Sequence, residues 1–239
     1  MIIQEITMSE FEEGLKKTQT VIIPIGTTEE HGPHLPLATD IMHVYEMIKE
    51  AARRVPMFIA PPINYGICRS TSGHTGTITI SSHTLKSIIK DIVISLYEHR
   101  IRNFMIISGH AGGTHMSSLF EIGEVLLDEL SESKIAVVSL FHLISKESQE
   151  VVETEADGHA GELETSLIMY VKPHLVKDLP EGFFPQMPQY FLTRDKKQYW
   201  PTGVWGDPKK ASAEKGKQIF DIAVEKIVHL KQEFEKFEG

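Results

Sequence analysis

Asn103-Phe-Met-Ile-Ile-Ser108 is an apolar run with the length of a buried strand, and it stops at the glycine-rich stretch Gly109–Gly113. Thr20-Val-Ile-Ile-Pro-Ile25 has the same form and stops at Gly26. Segments with a helical spacing of apolar residues follow both runs. This alternation predicts an α/β fold with a mostly parallel sheet covered by helices on both faces.

The other segments extend this pattern along the chain. The further predictions are strands at Met57–Ala60 and Ile135–Leu140, loops at Thr27–Thr39, Asn64–Gly76 and Phe183–Gly206, and helices after Asp40 and over His83–Arg100, Met116–Leu130, Leu163–Val171 and Ala211–Phe237. We therefore expect a single domain over residues 1–239. In such folds ligands bind at the carboxyl ends of the strands.

The composition argues against several classes of partner. The chain has 239 residues, 24% of them charged, and a formal net charge of -9. An acidic surface repels nucleic-acid phosphates and anionic membranes, so neither is expected as a partner. The N-terminus does not resemble a signal peptide, and no apolar run reaches the roughly 18 residues that span a bilayer. Cys68 is the only cysteine, so no intramolecular disulfide is expected, and we expect a cytoplasmic location.

Charged side chains follow the first predicted strand. Glu29 and His31 alternate in an extended segment and therefore project to one side, with Glu30 on the other. These two alone are also typical of a surface pair. Asp40 adds a second carboxylate after the bridge Gly32-Pro-His-Leu-Pro36, although it could instead cap the helix that follows. Glu29, His31 and Asp40 form a candidate ligand set for zinc or manganese.

Two later segments carry further candidates. His110 leaves the strand that ends at Ser108, among glycines that allow close backbone approach. His115 is expected to cap a helix or to lie at the surface. In His159-Ala-Gly-Glu-Leu-Glu164, His159 lies in a loop and could move protons. Glu164 suits a metal ligand or a residue that supports one, whereas Glu162 is expected to be solvated.

Other hydrolytic sites fit this sequence less well. It contains no Gly-x-Ser-x-Gly nucleophile motif, no Gly-x-x-x-x-Gly-Lys-Ser/Thr phosphate loop and no Gly-x-Gly-x-x-Gly stretch. Cys68 has no flanking residues that would activate it, so we expect its thiol to be inert.

The motifs resemble those of the creatininase (creatinine amidohydrolase) family. Gly26-Thr-Thr-Glu-Glu-His-Gly-Pro-His-Leu-Pro-Leu-Ala-Thr-Asp40 matches the family's Glu-x-His-Gly-x-His-Leu-Pro followed by Thr-Asp at every one of those positions. Ser108-Gly-His-Ala-Gly-Gly113 is similar to the family's Asn-Gly-His-Gly-Gly-Asn. His159-Ala-Gly-Glu-Leu-Glu-Thr-Ser166 is similar to its third motif, and Gly76-Thr-Ile78 to the end of its substrate loop. The matches span most of the chain in the family's order, and they imply its three-layer sandwich.

The resemblance implies a site with two divalent metal ions. Glu29 and His110 would bind one ion and His31 the other. Asp40 would bridge both, and His159 would be the general acid and base. Zinc is expected, with manganese or iron as alternatives. The family forms hexamers, so a homo-oligomer is implied as well.

Two departures from the family bear on the substrate. Creatinine-hydrolysing members carry a metal-binding Glu where this chain has Gly112. Glu164 is the candidate replacement and a candidate catalytic residue. The loop Cys68-Arg-Ser-Thr-Ser-Gly-His74 also differs from the common Ser-x-Glu-His-x-x-Phe-Pro-Gly-Thr. We expect Ser72, His74 and Gly112 to contact the substrate, and the departures argue against creatinine itself.

These features predict hydrolysis of a C–N amide bond, in a small cyclic or formyl amide, by a metal-activated hydroxide. Two related activities stay open: deformylation of a formamidopyrimidine nucleotide, for which Arg69 is the one obvious basic residue in the loop, and cleavage of a short peptide. A metal-stabilised binding protein without turnover is a further alternative. His159 argues against it, because a purely structural metal site needs no proton shuttle.

Overall fold

Four parallel strands form the central sheet of the computed structural model, which describes residues 1–188 and 190–238. In chain order they are β1 (Thr20–Ile25), β2 (Phe58–Ile59), β3 (Asn103–Ser108) and β4 (Lys134–Ser139). Across the sheet their order is β2-β1-β3-β4. The last residues of β1, β3 and β4 are in register. The segments that follow β1 and β3 therefore leave the sheet at the same edge.

Helices cover both faces of this sheet. They are α1 (Met8–Leu15), α2 (Thr39–Arg54), α3 (Ser82–Glu98), α4 (Gly113–Glu129), the short α5 (Leu140–Leu143) and α6 (Ser145–Ser148), α7 (Glu162–Val171) and α8 (Ala213–Lys236), with 3-10 turns at Ile3–Glu5, Pro173–Leu175 and Pro208–Lys210. Within the described residues, no helix is long and apolar enough to cross a membrane.

Alternate strand residues supply the two apolar cores, because successive side chains in a strand point to opposite faces. Ile22 and Met105 belong to the core shared with α2, α7 and α8. Ile23 and Phe104 belong to the core shared with α3 and α4. The predicted parallel sheet between two layers of helices is therefore confirmed.

The start of α2 corrects one interpretation of Asp40. The helix begins at Thr39, and its N-cap is Ala38, which has no capping side chain. Asp40 lies inside the first turn and is buried. Its carboxylate instead accepts a hydrogen bond from Thr27 and faces two histidine rings. The helix-cap interpretation of Asp40 is therefore wrong.

The start of α4 corrects a second interpretation. This helix begins at Gly113, three residues before the predicted start at Met116. His115 therefore lies within the first turn, and its side chain is completely buried. Its ring accepts a hydrogen bond from the Ile67 N–H, and its Nε2 lies 3.2 Å from Ser108 Oγ. The prediction that His115 caps the helix or lies at the surface is wrong.

Candidate metal centre

The carboxyl edge of the sheet gathers five of the predicted site residues. Glu29 and His31 lie in the loop after β1, and Asp40 lies in the first turn of α2. His110 follows β3 directly, and Glu164 lies in the first turn of α7. Each of these side chains is less than a tenth exposed. The fold therefore concentrates three carboxylates and two imidazoles in a buried space.

The two oxygens of Asp40 face different histidines. Asp40 Oδ1 lies 3.1 Å from His31 Nε2, and Asp40 Oδ2 lies 3.2 Å from His110 Nδ1. Glu29 Oε2 lies 3.1 Å from the same nitrogen of His110. Glu164 Oε2 lies 3.7 Å from His31 Nε2. The arrangement therefore divides into two groups of side chains that share Asp40 and could each hold a metal ion.

The far side of each histidine ring is held by the backbone. His31 Nδ1 lies 3.0 Å from the carbonyl oxygen of Glu29, so it donates a proton there, and Nε2 is the nitrogen that faces Asp40. His110 Nε2 lies 3.3 Å from the carbonyl oxygen of Ile67, so Nδ1 is the nitrogen that faces Glu29 and Asp40. Backbone support of this kind fixes the tautomer of a metal-binding histidine.

The electrostatics of the cluster favour a cation. Burial alone would raise the pKa of Glu29, but hydrogen bonding to His110 and the charges of His110 and His159 outweigh it and lower this pKa to about 2. Burial also opposes ionisation of Asp40, yet His31 and His110 hold its pKa well below the usual range. Conversely, the pKa of His110 rises to about 10, because hydrogen bonds and charges from Asp40 and Glu29 outweigh its burial. The carboxylates are thus stabilised in their ionised form, and oxygen and nitrogen donors of this kind fit zinc, manganese or iron.

His159 lies beside this cluster but outside α7. Its Nε2 lies 2.8 Å from the carbonyl oxygen of Glu30 and 3.6 Å from the Glu30 carboxylate. Its ring stacks on that of His31 with 4.2 Å between the ring centroids. Trp200 packs edge-on against the other side of His159 at 5.1 Å. The Nε2 proton is thus directed at Glu30, so Nδ1 is the nitrogen that can exchange a proton.

A cavity of about 400 Å³ opens onto the cluster. The metal-centre residues Glu29, Asp40, His110 and Glu164 line it together with Gly112, Arg69, Thr71, Lys196, Trp200 and Trp205. Ser72 and His74 do not belong to this lining. Ser72 Oγ lies 3.4 Å from the Arg69 carbonyl oxygen, and His74 Nε2 lies 2.8 Å from the Trp200 carbonyl oxygen. Of the three predicted substrate-binding residues, the structure brings only Gly112 to the cavity.

Glu162 corrects a further interpretation. The sequence predicts a solvated side chain, but Glu162 is completely buried. Its carboxylate accepts hydrogen bonds from the Thr154 hydroxyl, from the backbone N–H groups of Glu153 and Thr154, and from Lys215. No local sequence signal marks this role, because the donors come from a preceding loop and from α8.

Several residues near the centre escape the sequence analysis. The Thr71 hydroxyl donates to Glu29 Oε1 and so anchors the loop after Cys68 on the cluster. Cys68 itself is buried, and burial raises the pKa of its thiol, in keeping with an inert side chain. His43 lies three residues after Asp40 on α2 and is completely buried beside the cluster. Its helical spacing from Asp40 is the one signal that could have found it.

Comparisons with known proteins agree with this architecture. The chain is 26% identical to a creatinine amidohydrolase of Pseudomonas putida, over 98% of this chain and 97% of the relative. It is 28% identical to a mycofactocin precursor peptide peptidase of Mycolicibacterium smegmatis, over 84% of this chain and 79% of the relative. A structure from Bacteroides fragilis, described as a creatinine amidohydrolase, superposes with a TM-score of 0.86 at 27% identity and covers 100% of this chain and 97% of that chain.

The family comparison covers nearly the whole chain. Residues 4–230 match the Creatininase family, which is described as creatinine amidohydrolase. The predicted family resemblance and the prediction of a hydrolase are thereby confirmed. The chain belongs to the creatininase family of hydrolases.

Proposed function

We propose that this protein is a metal-dependent amidohydrolase that cleaves a C–N bond in a small cyclic or formyl amide. The observation that carries the proposal is the position of Asp40, which directs one carboxylate oxygen toward each of two backbone-supported histidines. A bridging carboxylate between two imidazoles is suited to a pair of divalent ions.

Two ligand sets follow from the distances. Glu29 Oε2, Asp40 Oδ2 and His110 Nδ1 would hold one ion. His31 Nε2, Asp40 Oδ1 and Glu164 Oε2 would hold the other. We expect zinc, and manganese also suits these ligands; the solved creatininases include one named for a Zn–Zn centre and one named for Mn. Bound divalent ions lower the pKa of water from 15.7 to about 7 and polarise a substrate carbonyl.

His159 is the candidate proton carrier for the reaction. Hydrolysis breaks the C–N bond, forms a C–O bond with water and leaves the nitrogen in need of a proton. His159 Nδ1 is free for this transfer, because Nε2 is held by the Glu30 carbonyl oxygen. Proton transfer by a positioned side chain contributes roughly 10²–10⁴-fold to the rate. Trp200 and Trp205 line the cavity beside it.

Two basic side chains favour a substrate that carries an anionic group. Arg69 and Lys196 line the same cavity as the metal-centre residues, and Lys196 Nζ donates to the Arg69 carbonyl oxygen at 2.8 Å. Neither side chain forms an ion pair within residues 1–188 and 190–238. Creatinine lacks an anionic group, whereas formyl amides with a phosphate and short peptides with a carboxylate have one. These two activities are therefore the second candidates.

A substitution of Asp40 tests the proposed function. Asp40→Ala should lose both metal ions and all amidase activity while the fold survives, as measured by elemental analysis and circular dichroism. The substrate panel would contain creatinine, N-formylglycine, N-formylglycinamide and dipeptides. Asp221→Ala, a change in an exposed ion pair on α8, is the matched control. Retention of two tightly bound ions in Asp40→Ala would overturn the proposal, and unchanged activity in His159→Ala would favour a binding protein instead.

A further inference from the structure

His43 is a buried histidine for which the proposed mechanism has no use. Its side chain has no exposed surface, and neither ring nitrogen has a hydrogen-bond partner in the described part of the chain. Two other histidines, His34 and His74, each have only one buried nitrogen in this condition. The His43 ring packs edge-on against Phe141 of α5 at 5.4 Å.

An unpartnered imidazole in a protein core is costly. A buried donor or acceptor without a partner destabilises a protein by roughly 1–3 kcal/mol. The expectation is therefore that something satisfies His43 in the functional protein. Gly109 contributes to the setting, since a Cβ there would meet His43 Cε1 at 3.1 Å and the backbone of Asp40 more closely still. The glycine lets β3 approach α2 at this point.

Two carboxylates lie within reach of His43. One ligand atom each from Asp40, His43 and Glu164 can be chosen so that all lie within 4.8 Å of one another. Bonds of about 2.0–2.2 Å to zinc place two ligands of one ion no more than about 4.4 Å apart. Three ligands spread around one ion at these bond lengths lie about 3.3–3.8 Å from one another, so side-chain shifts of up to about 1 Å bring the three groups onto one ion.

The loop after β3 supplies no side chain to this ion at Gly112. Gly112 has no side chain, and a Cβ at this position would overlap with the His110 ring. In the proposed function the second ion takes His31, Asp40 and Glu164 as ligands, whereas His159, which also lies near His31 and Glu164, carries protons instead. Structural and catalytic zinc sites commonly take three or four protein ligands, so one more is readily accepted.

We propose that His43 is a fourth protein ligand of the ion held by His31, Asp40 and Glu164. This inference rests on the metal centre of the proposed function. It assigns a ligand on α2, one helical turn after Asp40, so that a single helix contributes two groups to the same ion. Binding of this ion satisfies a nitrogen of His43 that is otherwise unpaired.

Cobalt(II) binding to the whole protein tests the proposal directly. His43→Leu should weaken binding of one cobalt equivalent by about 10–100-fold or more, since even partners of metal ligands have effects of this size. The visible absorption of that equivalent should change, because it reports the number and type of ligands. Binding of the other equivalent, at Glu29 and His110, should be retained.

Thermal unfolding with and without cobalt separates a ligand from a packing residue. In the metal-free protein, His43→Leu should leave Tm unchanged or raise it, because the variant removes an unpartnered imidazole. In the cobalt-loaded protein the same variant should lower Tm relative to the wild type. His34→Leu is the matched control: His34 is also completely buried, but its Nε2 is bonded to Thr165. It should lower Tm in both states.

The outcomes distinguish this inference from the proposed function. Two equivalents of cobalt with wild-type affinity and spectrum in His43→Leu would overturn the ligand role and would indicate a buried water instead. The metal centre itself would still stand if Asp40→Ala lost its metal. Absence of cobalt binding in the wild-type protein would overturn the proposed function and this inference together.

Discussion

Glu162 and Glu164 lie two residues apart on α7, and both are buried, yet their surroundings differ in kind. Glu162 receives hydrogen bonds from a hydroxyl, two backbone N–H groups and the ammonium of Lys215, which lies at 2.6 Å. Glu164 receives one backbone hydrogen bond, from Ala160, and otherwise faces His31. The protein alone neutralises Glu162, whereas Glu164 belongs to a cluster in which carboxylates outnumber permanent cations.

This difference separates a carboxylate that the protein neutralises by itself from one that suits the proposed metal centre. Burial raises the pKa of Glu162, but hydrogen bonds from Lys215, Thr154 and the backbone of Glu153 and Thr154 outweigh it and keep the pKa below 4.5. The pKa of Glu164 is also lowered against its burial, chiefly by the charge of His31. A metal ion can replace that histidine charge, and no ion is needed beside Glu162. Burial and ionisation alone therefore do not identify the site; the identity of the partners does.

The largest effect should come from Glu164→Gln. Loss of one ligand charge should lower kcat by about 10³-fold, since metal-ion stabilisation of the transition state is worth several kcal/mol and about 1.4 kcal/mol corresponds to tenfold. Amide hydrolysis and bound metal would be measured together. Glu162→Gln is the control and should keep kcat within a few-fold. Equal losses of activity in the two variants would contradict the proposed difference between the two carboxylates.

The order of effects at Glu164 and Glu162 should reverse when stability is measured instead of activity. Glu162→Ala leaves the Lys215 ammonium and three other donors without their acceptor, and removal of one partner of a buried pair costs roughly 3 kcal/mol. Urea unfolding of the metal-free protein at pH 7 measures this loss. Glu164→Gln should change the same free energy far less, because the metal-free cluster is crowded with carboxylates. A stability of Glu162→Ala equal to that of the wild type would contradict the structural role.

The loss of stability caused by Glu162→Ala should depend on pH and should become smaller in acid. A carboxyl group whose pKa is lowered by folding stabilises the native state at every pH above its pKa in the unfolded chain, which is 4.5 for Glu162. That stabilisation is lost as the pH falls through the folded pKa. The difference between wild type and Glu162→Ala should therefore be constant between pH 6 and 8 and should shrink below about pH 4.5. A difference that grew in acid would show that the carboxylate is not the stabilising form.

The sequence was sufficient for the fold because its strands are continuous apolar runs. β1 and β3 have the bounds that Thr20–Ile25 and Asn103–Ser108 predict. The polar residues just after them had to meet at one sheet edge, since the strands are parallel and adjacent. Glu29, Asp40 and His110 could therefore be proposed as neighbours from local patterns alone.

The remaining residues depend on contacts that no local pattern encodes. Glu162 is buried because Lys215 reaches it from α8, 53 residues away in the chain. His115 is buried because Ile67 and Ser108 surround its ring. In both cases a polar residue near a helix start has the sequence signature of a solvated or capping residue. Contacts with residues that are distant in the sequence bury it instead.

Removal of the metal should also distinguish Glu164 from Glu162. A ligand present at 100 times its Kd stabilises the native state by about 2.7 kcal/mol, so a chelator should lower the wild-type free energy of unfolding by about this amount for each of the two proposed ions. Glu164→Gln should show a smaller response to the chelator, because it loses the contribution of the ion that Glu164 would bind. Glu162→Ala should respond as the wild type does, because its cluster binds no metal. A diminished response in Glu162→Ala would mean that the two clusters are coupled through α7.

The smallest predicted effect tests a single bond of the structural cluster. The Thr154 hydroxyl donates to Glu162 Oε2 at 2.6 Å, and Thr154 is almost completely buried. Thr154→Val keeps the shape of the side chain and removes this donor, so it should lower the free energy of unfolding by about 1–2 kcal/mol. The loss should be smaller than that of Glu162→Ala because Lys215 and two backbone N–H groups remain. In a double variant with Glu162→Ala the effect of Thr154→Val should largely vanish, since the acceptor is gone. Full additivity in that double-mutant cycle would show that the hydroxyl stabilises the protein through some other contact.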